Sequence, residues 1–181
     1  MSNPAEICAG LATVSKKYAL QTSAQPGAEF ASIVGALENF MECVRYLNTR
    51  RSGGTVLSLE SEADVQDALY LMLRPWVKDL VPEDPSGRIG NRYTIKDFVS
   101  ASARTVVEAK FIRDKEHGRV ISKELHDDIE TYRHNPNCDH IIFFIYDPDT
   151  YIADVDALKR AIHAARVYDG RAINVLVIVK P

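Results

Sequence analysis

Two unbroken apolar runs limit what this chain can fold into. HIIFFIY at 140–146 and AINVLVIVK at 172–180 have the length of strands but lack the alternation of a strand that faces water on one side. Such runs belong to central strands covered on both faces, so helices must flank a sheet. The remaining sequence supplies them. From Glu29 to about Thr49, Phe30, Ile33, Val34, Leu37, Phe40, Met41, Val44 and Leu47 recur every three or four residues, which predicts one amphipathic helix. It stops at Arg50-Arg51-Ser52-Gly53-Gly54, where paired glycines favour a loop. A shorter helix is expected in residues 1–20.

Ser61, three residues before Asp64, stands where a helix cap belongs. Val65, Leu69, Met72, Leu73 and Trp76 follow as an apolar face, and Pro75 ends or kinks the helix. VPEDPSGRIGN carries the residues of a loop. After it the period changes from about 3.6 to 2. RYTIKDFVS and the β-branched SARTVVEAKFI read as a hairpin turning at Ser100-Ala101-Ser102. A helix from Val120 to His134 ends at Asn135-Pro136-Asn137, and Asp154 can cap a last helix to about Val167. The expectation is an α/β (α+β) body over residues 55–181 behind a helical N-terminal extension, residues 1–54.

Composition narrows the function. With 46% apolar and 26% charged residues the chain reads as an ordinary globular protein, and no stretch nears the roughly 20 apolar residues that cross a bilayer. MSNPAEICAG lacks a basic segment followed by an apolar one, so no secretory signal is expected. Cys8, Cys43 and Cys138 are few and far apart, which argues for a reducing compartment and a cytoplasmic location. A net charge of −3 excludes a globally basic nucleic-acid coat, although residues 86–135 carry 10 basic against 8 acidic side chains. No GxxxxGK[ST] or GxGxxG run is present, which argues against nucleotide-cofactor chemistry.

The chemistry concentrates in the hairpin. Glu108 and Lys110 lie two apart on one strand, so period-2 geometry turns both to one face. Asp97 on the partner strand can come opposite Glu108. Neighbouring carboxylates repel, and a divalent cation relieves that repulsion. Mg²⁺ suits the pattern because it needs only one or two carboxylates beside water and phosphate. Among the 25 acidic residues, Glu108-Ala109-Lys110 is the only acidic-x-Lys match. The plainer alternative is a solvated hairpin with a cross-strand ion pair between Lys110 and Asp97, and the local pattern leaves both readings open.

The segment IKDFVSASARTVVEAKFI resembles the active-site hairpin of the PD-(D/E)XK phosphodiesterases. The resemblance runs from about Ser61 to Leu158 through EADVQDALYLML, ELHDDIETYRHNPNC and IIFFIYDP, and is nearest to a branch with small type II restriction enzymes that cut GATC-type sites. It implies a restriction-endonuclease-like mixed central sheet flanked by helices, and a nuclease acting on DNA with Mg²⁺ or Mn²⁺ in microbial restriction or defence. By the same resemblance Asp97 and Glu108 are the metal-binding acids, the carbonyl of Ala109 completes the metal shell, and Lys110 is the catalytic lysine. Glu62 on the leading helix is the assisting acid, with Asp67 as the substitute, and Gln66 faces the same way one turn on. Lys96 stands where the family often has proline.

Arg113, Lys115, Arg119 and Lys123 could neutralise phosphates, or form a solvated face with the interleaved Asp114, Glu116 and Glu124. His117 could shuttle protons, though an uninvolved loop histidine is the simpler reading. His134, Cys138 and His140 lack zinc-site spacing and read as a turn. Many relatives are dimers, so the Phe30–Leu47 face is either core, the default, or a homodimer interface. Two other functions stay open: an inactive module of this fold that binds a partner protein, and an RNA-cleaving enzyme with the same site.

Overall fold

Strands Val81–Ile89 (β1), Arg92–Ser100 (β2), Thr105–Phe111 (β3), His140–Tyr146 (β4), Ala165–Tyr168 (β5) and Arg171–Lys180 (β6) form one sheet in the order β1-β2-β3-β4-β6-β5. These strands come from a computed structural model that describes residues 26–49, 54, 56–89, 92–162, 165–168 and 170–181. The side chains of residues 26–27, 83–89, 92–97, 165–166 and 168 lie outside that description, as does the helix expected in residues 1–20. The sheet is mixed. β1, β2 and β3 run antiparallel, β3, β4 and β6 run parallel, and β5 returns antiparallel along β6.

Five helices are present among the described residues: Pro26–Glu38 (α1), Phe40–Asn48 (α2), Glu62–Leu73 (α3), Lys115–Tyr132 (α4) and Val155–Ile162 (α5). None is long and apolar enough to cross a membrane. They cover both sheet faces, which explains why β4 is apolar throughout. Ile142 and Phe144 join one core with Ile33, Leu37, Phe40 and Val44 of α1 and α2 and with Val65, Leu69 and Leu73 of α3. Their neighbours Ile141, Phe143 and Ile145 join the other, with Ile121, Leu125 and Ile129 of α4 and Leu158 and Ile162 of α5. The apolar stripe of the front helix therefore packs into the chain's own core.

Five expectations about the elements need correction. The single front helix is two, divided at Asn39, whose amide side chain donates to the Gly35 carbonyl at 2.8 Å. A side chain that bonds the backbone of the preceding turn competes with the helical ladder. VPEDPSGRIGN is not a loop: its first nine residues are β1. Prolines are tolerated on β1 because it is an edge strand, hydrogen-bonded on one side only, so a missing N–H costs a ladder bond only where it faces β2. The helix expected from Val120 starts at Lys115, because Asp114 caps it by accepting the His117 N–H at 2.8 Å. Trp76, expected on an apolar face, is 54% exposed beyond the end of α3.

The last helix also stops short of Val167. Asp154 caps it as expected, accepting the Ala157 N–H at 2.7 Å, but it ends at Ile162. Ala165–Tyr168 then becomes β5, pairing from Tyr168↔Arg171 onward. The two residues between are Asp169-Gly170, and Gly170 has φ +80. An Asp-Gly pair favours a two-residue hairpin turn, a signal strong enough to overrule continued helix.

Gly118, in the first turns of α4, lies against the backbone of Tyr151 and Ile152. A Cβ there would stand 2.6 Å from the carbonyl oxygen of Tyr151. Gly118→Ala should lower stability by about 2 kcal/mol, because backbone cannot yield as a side chain does. That outweighs the ~1 kcal/mol alanine gains over glycine inside a helix. Urea unfolding checks it, and an unchanged midpoint would show that α4 and this loop are not in contact.

Candidate active site

Alternation along β3 sets up the site. Val107 and Ala109 enter the core beneath α3, so Glu108 and Lys110 face the opposite side, toward α4. Glu108 is 7% exposed. Its Oε1 accepts from Lys110 Nζ at 3.2 Å, and its Oε2 accepts from the hydroxyl of Tyr132. The Lys110 ammonium also lies 3.1 Å from Asp128 Oδ2. Ile121, Leu125, Ile129 and Tyr132 form the buried stripe of α4. Asp128 precedes Ile129 at the border of that stripe, one turn before Tyr132, so the same burial that seats α4 carries both polar groups to β3.

Burying two carboxylates beside an ammonium is costly unless they are paired. Burial by itself would lower the Lys110 pKa, but Glu108 and Asp128 overcome it and hold the ammonium above the ordinary lysine value. Burial raises the Asp128 pKa more than Lys110 lowers it, and Glu124 and Asp127 add to the rise. Lys110 is therefore a fixed cation between two acids.

The hairpin is anchored at its turn. Asp79 accepts from Ser100 Oγ at 2.9 Å and from the Ser102 N–H at 2.8 Å. Arg104, at φ 49, pairs with Asp139 and donates to the Pro136 carbonyl at 2.7 Å, tying the turn to the segment between α4 and β4. The last β2–β3 pair is Phe98↔Val107, so Asp97 and Glu108 each follow one residue beyond it in the backbone. The side chain of Asp97 lies outside the described residues.

Beyond the C-terminal end of β3 opens a cleft of about 550 Å³, lined by Glu60, Ser61, Glu62, Ala63, Lys110, Phe111, Arg113, His117 and Glu124. Glu62 reaches it because the Ser61 hydroxyl caps α3, accepting the Asp64 N–H at 3.3 Å and donating to Asp64 Oδ2 at 2.8 Å. Glu62, Lys110 and Arg113 thus share one cavity. Lys115 lies apart, in a hollow with Gly118, Arg119 and Tyr151. Gln66 is half-buried on α3 and Asp67 is exposed. The Ala109 side chain is fully buried beneath α3.

His117 is not a loop residue: it sits in the first turn of α4, 9% exposed at its side chain, with Nε2 3.3 Å from Glu124 Oε2. His134, Cys138 and His140 do not converge on a metal site. Cys138 is buried, and the His140 ring packs on Phe30 with centroids 4.3 Å apart. Among the described residues no three His, Cys, Asp or Glu side chains are grouped to hold a metal. Asp128 and Tyr132 are the site residues that sequence reasoning missed. Their one sequence signal is position: Tyr132 lies on the apolar stripe of the helix that follows the acidic-x-Lys strand, and Asp128 beside it one turn earlier.

The family model described as REase_DpnII-MboI matches residues 32–181. No curated protein and no solved structure matches the chain.

Proposed function

Because the chain belongs to the DpnII-MboI family of restriction endonucleases, we propose that it is an endonuclease that hydrolyses phosphodiester bonds in DNA with Mg²⁺ or Mn²⁺, in a microbial restriction or defence setting in the cytoplasm. The observation that carries this reading is the placement of Lys110 in a cleft with Glu62 and Arg113, with Glu108 3.2 Å from its ammonium on the same strand. The donor chemistry fits a hard cation, since every candidate ligand offers oxygen.

In this proposal Asp97, Glu108 and the Ala109 carbonyl would hold the cation, which supplies charge neutralisation and a more acidic water. Lys110, kept protonated beside Glu108 and Asp128, orients the attacking water and offsets the negative charge that grows on phosphate. Glu62 supports the site from the facing end of α3. Arg113 is the cleft's candidate for a phosphate contact, while Gln66 and Lys115 would serve bound DNA farther from the reacting bond.

The test is a substrate panel: plasmid, linear duplex, single-stranded DNA and RNA, each incubated with Mn²⁺ or with EDTA. Duplex DNA should be cut only with Mn²⁺. Cleavage of RNA alone would transfer the assignment to an RNA-cleaving enzyme. Failure to cut any of the four would leave a partner-binding module as the better reading.

A further inference from the structure

Both carboxylate oxygens of Glu108 are engaged by protein groups, Oε1 by Lys110 and Oε2 by Tyr132. A cation seated on Glu108 must compete with the ammonium that lies 3.2 Å from Oε1. The ammonium has a second acid within reach, since Asp128 Oδ2 is 3.1 Å away. Lys110 is only 15% exposed at its side chain, so it cannot simply retreat into water. Withdrawing it from Glu108 without another acid would leave a buried charge uncompensated. Asp128 supplies that acid from α4, a different element from the strand carrying Glu108 and Lys110.

From this geometry we infer that Asp128 is a positioning residue that takes over Lys110 when a divalent cation takes Glu108, so that α4 sets how readily the site accepts its metal. The inference rests on the reading of Glu108 as a cation ligand. Asp128 acts through Lys110 and is not itself a ligand. With Asp128 neutralised, the ammonium would bind Glu108 more firmly and compete harder with the incoming cation.

Binding of Mn²⁺ to the full chain without DNA, followed by electron paramagnetic resonance of the free ion, tests this directly. Asp128→Asn should weaken binding roughly tenfold, within the range for directly coupled buried charges, and Asp128→Glu should recover most of it. Lys110→Met should tighten binding by removing the competitor. Adding Asp128→Asn to Lys110→Met should then change little, because the residue through which Asp128 acts is gone. Circular dichroism melts establish that each variant is folded, and if Asp128→Asn is not, the Lys110→Met result decides, with unchanged or weaker binding overturning the inference. Full weakening by Asp128→Asn in the Lys110→Met background would overturn it too, since Asp128 would then act on the ion itself. Wild-type binding matched by Asp128→Asn defeats this inference alone. A wild-type protein that binds no Mn²⁺ removes the reading of Glu108 as a ligand, and the inference with it.

Discussion

Lys110→Ala is expected to reduce cation-dependent DNA cleavage by at least about 100-fold, the scale on which removing one preorganised electrostatic group acts on the transition state. The loss should appear in kcat more than in KM, because the ammonium serves the charge that develops on phosphate rather than the ground-state grip on DNA. Lys110 sits between two acids that keep it protonated, so its contribution is a positioned charge. Removing it also leaves Glu108 and Asp128 facing one another without their shared cation, so a folding check must accompany the assay. Cleavage that survives Lys110→Ala in a folded protein, or that ignores EDTA, sinks the mechanism.

Phe144→Ala should cost about 3–5 kcal/mol of stability, the usual range for deleting a fully buried aromatic ring. The Phe144 ring lies 4.8 Å from that of Phe40, centroid to centroid, where α2 meets the sheet. The resulting void would open in the core that Phe144 shares with Phe40, Leu69 and Ile142. Denaturant unfolding at 25 °C measures the change. A loss below about 1 kcal/mol would mean that α2 does not seal this side of the sheet.

Much of this arrangement was legible in the residues. The two apolar runs became adjacent parallel strands, and the acidic-x-Lys triplet fell in the middle of a buried strand as its surroundings predicted. The misreadings share a physical cause. At β1, Pro82 and Pro85 signal a loop by local preference, and only the position at the sheet's edge makes a strand tolerable. At β5 the pattern continued as helix, but the Asp-Gly turn and pairing to β6 outweighed it. The partners of the site were harder to see. Asp128 and Tyr132 are ordinary helix residues in the sequence, and only the crossing of α4 over β3 gives them neighbours. Tertiary packing, not local preference, decides such contacts.

The sheet's mixed pairing also bears on the order in which the chain assembles. The antiparallel pair of β2 and β3 closes across a four-residue turn, Ala101 to Arg104, so its first contacts cost little chain entropy. Thr105 meets His140, and His140 meets Asn174, only after whole crossovers have been laid down. A nascent chain that follows this order would bring the Asp97 and Glu108 positions together early, while the helical wall that carries Asp128 and Tyr132 still awaits β4.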